Sequence, residues 1–194
     1  RDRVNRVGGS VVANALSSIH QLTPAEIGVV IGVMFLSSAL VQIPFGIMLD
    51  RFGARRMIVG WSSVAIIGTV IFGLAETSSG LTVGRTLIGI GHGASITGVY
   101  LLALAWASPE RVASVAATTI AVAGALGGMI GTAPLAASIQ YVGFTDTFLY
   151  LAVVSLLSSI LIWFFVDDRP PGSRIENTKE NSKTAILGLF EVIK

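Results

Sequence analysis

Gly46-Ile47-Met48-Leu49-Asp50-Arg51-Phe52-Gly53-Ala54-Arg55-Arg56 places one acid and three arginines in the seven residues from Asp50 to Arg56. Ile27–Leu49 lies before this cluster and Met57–Ala75 after it, and neither run contains Asp, Glu, Lys or Arg. A helix needs about 20 apolar residues to cross the hydrocarbon core of a bilayer. The stretch therefore reads as a charged turn between two membrane helices.

Three further runs meet that length: Leu81–Ala107, Val115–Tyr141 and Thr147–Val166. Only the first of them carries ionisable groups within it, Arg85 and His92. Charged residues are 12% of the chain and hydrophobic residues 53%; a soluble domain has about a quarter charged. So much apolar surface suits a bilayer better than one soluble core. A net charge of +2 makes no electrostatic case for nucleic acid. The lack of cysteine excludes disulfides, thiolate zinc sites and iron–sulfur clusters. No soluble cofactor is implied.

Val7–Leu16 is a sixth apolar stretch, too short to span alone and preceded by Arg1, Arg3 and Arg6. It reads as the second half of a first helix, over about residues 4–20, whose start is missing. An interfacial segment is the other reading. The chain begins at Arg1 and shows no signal-peptide pattern, so a fragment is expected. Thr23-Pro24-Ala25-Glu26 has the form of a capping box, and Ser108-Pro109-Glu110-Arg111 suggests a second helix start with proline at the first position. Residues 1–166 then form a helical membrane unit. Asp167–Thr184 reads as a polar linker, and Ala185–Lys194 as an amphipathic helix or the lead-in to another span.

Lysine and arginine in the loops set orientation. The Asp50–Arg56 and Ser108–Ser114 loops and the segment after Val166 hold nine of them; His20–Glu26, Glu76–Gly80 and Val142–Asp146 hold none. The Asp50–Arg56 loop and residues 167–194 are expected in the cytoplasm, with the protein in a bacterial inner (plasma) membrane.

Gly46, Asp50, Arg51, Gly53, Arg55 and Arg56, between the second and third helices, resemble the G-x-x-x-D-R-x-G-R-R signature of the major facilitator superfamily. Ala54 stands where the first arginine of the pair is usual. Arg85-Thr86-Leu87-Ile88-Gly89-Ile90-Gly91 resembles the family's R-x-x-x-G-x-G in the fourth helix. The resemblance covers nearly the whole chain. It implies an all-α integral membrane fold, the six-helix N-terminal bundle with 3+3 inverted repeats, here with its first helix truncated. It implies a secondary transporter working by alternating access, not an enzyme, with a C-terminal half absent from this sequence. Asp50 stands at a helix C-terminus, where the macrodipole disfavours a carboxylate. The resemblance supplies a partner for it: the N-terminal end of a helix in the other half, held while the cytoplasmic side is closed. Gly46 is expected to allow close helix approach, Gly53 the sharp turn, and the arginines to pair with Asp50 or anionic lipid.

An arginine inside a membrane helix is a functional candidate by default. Arg85 is read as a cavity or proton-coupling residue, with snorkelling to the interface as the alternative. His92 lies seven residues on, hence on the same helical face. It is either a proton-binding group or a neutral histidine bonded to a neighbouring helix. Arg6 lines the cavity or anchors the inner leaflet. Asn14 and Gln42 offer hydrogen bonds in the cavity or across the bundle. Gly124–Pro134 on the fifth helix is read as a small-residue face with a proline, suited to close packing and bending, with packing as its main role. The resemblance puts the third and sixth helices toward lipid.

The cationic candidates suggest a small anionic substrate, with a proton as possible co-substrate. A half-length sensor, or a half-transporter that dimerises, is the alternative. An intramembrane protease finds no H-E-x-x-H or G-x-S-x-G here.

Overall fold

A computed structural model describes residues 11–167, leaving aside the side chains of Ile43, Ile47, Asp50, Arg51, Ala94, Ser95 and Ile96. Arg6, most of the 167–184 linker and the 185–194 segment lie outside the described residues. The described chain is helical: α1 (Val11–Ile19), α2 (Pro24–Phe52), α3 (Ala54–Leu74), α4 (Ser78–Trp106), α5 (Val112–Ile130), α6 (Ala133–Tyr141) and α7 (Phe144–Phe165). Five spans are long and apolar enough to cross a membrane, α5 and α6 counting together as one. With the part of the first helix that is described, they form an all-α membrane bundle.

Local chemistry explains the boundaries. The Thr23 hydroxyl accepts the Glu26 N–H at 3.3 Å, and the Glu26 carboxylate accepts the Thr23 N–H at 2.9 Å, which closes the capping box at the start of α2. The Thr77 hydroxyl accepts the Gly80 N–H at 3.2 Å and starts α4. Gly53 alone separates α2 from α3. Its N–H bonds the Leu49 carbonyl at 3.0 Å and its φ is 83°, a conformation that costs any side-chain-bearing residue. Ser108–Arg111 is a turn rather than the expected helix start: the Arg111 and Val112 N–H groups both bond the Ser108 carbonyl, and α5 begins at Val112. The run Val115–Tyr141 is divided at Gly131-Thr132. Pro134 has no N–H for the Ile130 carbonyl and its ring obstructs that turn, so it opens α6 instead.

α4 is the middle of the bundle. Gly84, Gly91 and Gly98 recur every seven residues and face α3. A Cβ on Gly84 would stand 2.7 Å from the Phe72 nitrogen, on Gly91 2.5 Å from the Ala65 Cβ, and on Gly98 2.7 Å from the Ile58 Cγ1. Gly89 and Gly93, one turn apart, face α2; Gly89 lies against Met34 and Ser37, and Gly93 against Ser38. At 100° per residue these seams lie on nearly opposite sides of α4. The helix is clasped between α2 and α3, and α7 packs on α3.

Two apolar clusters close the ends. Phe72, Phe144 and Phe148 pack at ring separations of 4.7–5.4 Å with Ala15, Leu16, Val30, Leu81 and Ile88 at one end. Phe45, Leu49, Ala54, Met57 and Ile58 form the other, beside the Gly53 turn. α5 buries only Val112 and Ala116. α2 and α7 also carry exposed apolar residues, among them Phe35, Leu40, Val154, Leu161 and Phe164.

The seams make a mutational contrast. Gly91→Val forces a branched side chain into backbone contact and should destabilise the full-length protein in detergent by about 1–3 kcal/mol or more. Gly60→Ala, at a position with nothing within 4 Å, should leave the melting temperature unchanged or slightly raised. Equal melting of the two variants contradicts the packing assigned to α4.

Candidate functional site

The heptad that positions the glycines also positions the polar groups. Each seam glycine facing α3 is followed by its neighbour 100° round the helix: Gly84-Arg85, Gly91-His92, Gly98-Val99, and then Ala105-Trp106. Arg85, His92, Val99 and Trp106 therefore form one stripe on α4, on the arc between its two seams.

Arg85 is half-buried near the start of this stripe, about 10 Å along the axis from Ser78. Its guanidinium carbon lies 4.5 Å from the centre of the Phe72 ring on α3. Nη1 stands 3.3 Å from the Met34 sulfur on α2. Nε is buried without a hydrogen-bond partner. Among the described residues the one ion pair is Arg55–Asp167, so no carboxylate answers Arg85. An aromatic face and a thioether are weak substitutes for water around a cation.

His92 is exposed on the same stripe, two helical turns from Arg85. Gln42 is exposed on α2; it continues the four-residue spacing of Met34 and Ser38, the positions that meet α4. Asn14 is half-buried on α1, where its carbonyl accepts the Ser18 hydroxyl. No hydrogen bond among the described residues joins Arg85 to Asn14, Gln42 or His92. Gly89 and Gly91 in the fourth-helix motif serve close packing, which fixes where Arg85 stands. Arg6 lies outside the described residues.

The charged turn sits at the opposite end of α2 from the α1–α2 connection. Asp50 and Arg51 fall in the last turn of α2. Arg55, in the first turn of α3, pairs with Asp167. Its Nη1 is 3.3 Å from Oδ1, and its guanidinium stacks 4.7 Å from the centre of the Trp163 ring. The Trp106 indole N–H donates to the Asp167 carbonyl at 3.1 Å. Asp167 thus ties the beginning of α3 and the end of α4 to the end of α7. Arg56 is exposed. Gly46 meets nothing within 4 Å, so it does not provide the expected close helix approach among the described residues.

A cleft of about 710 Å³ opens beside this fastening. Val99, Trp106, Arg111, Val115, Phe165 and Asp167 are among the residues that line it, and it is the lower continuation of the Arg85–His92 stripe. Trp106, Arg111, Trp163 and Asp167 were not singled out from sequence. The available signal was the acid that follows directly on the last apolar run, at the arginine-bearing end.

With this geometry in place the relatives can be considered. The family model of the Major Facilitator Superfamily matches residues 4–194. The chain belongs to that superfamily, and it is an integral membrane protein of the N-terminal-half type. An uncharacterized transporter of Buchnera aphidicola subsp. Schizaphis graminum is 31% identical over 157 residues, 80% of this chain and 39% of that protein. The probable sulfoacetate transporter SauU of Cupriavidus necator is 28% identical over 167 residues, 86% of this chain and 39% of that protein. The synaptic vesicular amine transporter of Bos taurus is 30% identical over 163 residues, 81% of this chain and 31% of that protein. The chain therefore spans well under half the length of these relatives.

The Asp167 fastening is solvent-facing, with side-chain exposures of 29% for Arg55 and 74% for Asp167. An exposed pair of this kind is worth about 0.2–1 kcal/mol and is screened by salt. Asp167→Asn should lower the melting temperature of the full-length protein by one or two degrees at low ionic strength, and not at all in concentrated salt. The Trp106 bond to the main-chain carbonyl survives that substitution. A salt-independent loss contradicts the ion-pair assignment.

Proposed function

We propose that this chain is the N-terminal half of a secondary transporter that moves a small anionic solute by alternating access, with Arg85 as the counter-charge for the solute. The observation that carries the reading is Arg85 itself: a half-buried guanidinium on a membrane span with no carboxylate among the described residues and one N–H unused. Insertion scales put an arginine at the centre of a membrane helix at about 3 kcal/mol, and Arg85, the eighth residue of α4, meets part of that cost. A ring face returns about 0.5–2 kcal/mol. A half-buried guanidinium with an unused N–H is completed by an anion, and a solute carboxylate or sulfonate supplies one. The sign of the charge rests on this chain's residues, because the relatives' names include both a sulfoacetate and an amine carrier.

Proton coupling is assigned to His92, which shares the stripe two helical turns from Arg85. An anion bound at Arg85 adds a negative charge to the stripe, and a nearby opposite charge favours the imidazolium, so solute and proton bind together. Asn14 and Gln42 add hydrogen bonds on the facing helices, and Arg6 adds a second cation. Gly46, Asp50, Arg51, Gly53, Arg55 and Arg56 form the gating turn, with Asp50 holding a helix N-terminus of the other half while the cytoplasmic side is closed. By loop charge the turn faces the cytoplasm of a bacterial inner membrane, and the other partners are the bilayer and the C-terminal half.

The test uses the complete protein in proteoliposomes holding a pH-sensitive dye. Small carboxylates and sulfonates should acidify the interior, and amines and sugars should not. Arg85→Ala should reduce anion uptake about 100-fold, as expected for loss of a charge-assisted pair worth about 3 kcal/mol, while membrane content stays unchanged. His92→Gln should uncouple acidification from uptake. Normal uptake by Arg85→Ala ends the reading.

A further inference from the structure

His20 has no part in the transport reading, and its surroundings are unusual for a residue in a connection. The α1 helix ends with Gln21 in the left-handed conformation, φ 53°, and the N–H groups of His20 and Leu22 both bond the Leu16 carbonyl, at 3.2 and 3.4 Å. The flanking Leu16 and Leu22 lie in the apolar cluster with Phe72, Phe144 and Phe148. The imidazole stands edge-on to Phe144, with ring centres 5.1 Å apart and planes at 74°. Nε2 is buried and has no hydrogen-bond partner.

That contact ties the end of α1 to the beginning of α7, across the end of the bundle remote from the Gly53 turn. It suits a neutral ring. A proton on Nε2 would create a buried donor and a charge with nothing to receive either. The carboxylates nearest in the fold do not receive them. α1 and α6 carry none. Glu26 on α2 is held by the Thr23 N–H and hydroxyl. Asp146 on α7 and Glu76 before α4 are exposed, and neither forms an ion pair with His20. A protonated ring that turns outward meets water and the carbonyl end of α1, both of which favour a cation.

We propose that His20 is a proton-operated latch, which holds the α1–α2 turn on α7 while neutral and releases it when protonated. Burial holds the imidazole below its ordinary value of 6.5 in the latched position. The sign follows. The released ring takes up a proton first, so the latched form is favoured above that ordinary value and is lost as the pH falls below it. The loosened elements are α1 and the outer aromatic cluster. The clasp of α2 and α3 on α4 is untouched, because no titrating group lies in its glycine seams. The latch does not depend on the identity of the solute.

The experiment places spin labels at Ile19→Cys and Thr145→Cys, both exposed positions on either side of the contact, in the full-length protein freed of other cysteines and reconstituted in lipid vesicles. The distance distribution should be narrow near pH 8 and should lengthen and broaden by several ångströms toward pH 5, with a midpoint below about 6.5. His20→Phe, which keeps a ring on Phe144, and His20→Gln should both lack that transition. His20→Lys should show the released distribution throughout. A distribution independent of pH in the His20 protein, or one that moves equally in His20→Phe and His20→Gln, overturns the latch.

Discussion

The contact between α4 and its two neighbours is the constraint on which the other features depend. Small residues matter in a membrane because lipid is as apolar as leucine, so burial alone gives helices little reason to associate. Dispersion between backbones in close contact has to supply the attraction, and it needs side chains out of the way. Gly84, Gly91 and Gly98 clear the path to α3, and Gly89 and Gly93 clear the path to α2. Because one helix serves both seams, its rotation about its own axis is fixed from two sides. A change of even one residue in register would drive Arg85 or His92 into a neighbouring backbone.

That fixed rotation explains how a cation is held where lipid would reject it. Arg85 follows Gly84 by 100°, so it leaves the α3 seam at its edge and reaches Phe72 on one side and Met34 on the other. Its position is set by packing, not by an ion pair. A structural arginine would be expected to show a carboxylate partner, as Arg55 does with Asp167 at the exposed end. The two arginines of the bundle that are seen to make contacts thus behave differently for a physical reason. Arg55 can use a screened, solvent-facing pair of small worth, and Arg85 is fixed by shape with its donors left over.

The helices were legible because a bilayer imposes length, and apolar runs of about 20 residues admit few other readings. The resemblance placed the charged turn and the fourth-helix motif, and the family model agrees over nearly the whole chain. Where reading by composition fell short, the cause was local. Val115–Tyr141 has no charge to mark a boundary, so the break before Pro134 was invisible to a count of apolar residues. Ser108-Pro109-Glu110-Arg111 has the letters of a helix start, yet its N–H groups close a turn first. The partner of Arg55 lies 112 residues away, and no local pattern points across that distance. The seven-residue repeat of glycines on α4 was in plain view. Its meaning needed the knowledge that α2 and α3 lie on opposite sides.

A rigid middle with softer ends has a mechanical consequence. The seams resist internal shear, because every glycine in them is already at the limit of approach. Movement within the proposed transport cycle must therefore carry α2, α3 and α4 together, as a body, against whatever faces them. What can change within the half lies at its two ends. One is the Gly53 turn and its exposed fastening to Asp167, held by an interaction that salt or competition can loosen. The other is the aromatic cluster, which α1 meets through Ala15, Leu16 and the imidazole edge of His20. The division follows from chemistry: glycine seams offer nothing for a proton or an ion to act on, whereas Asp167 and His20 do.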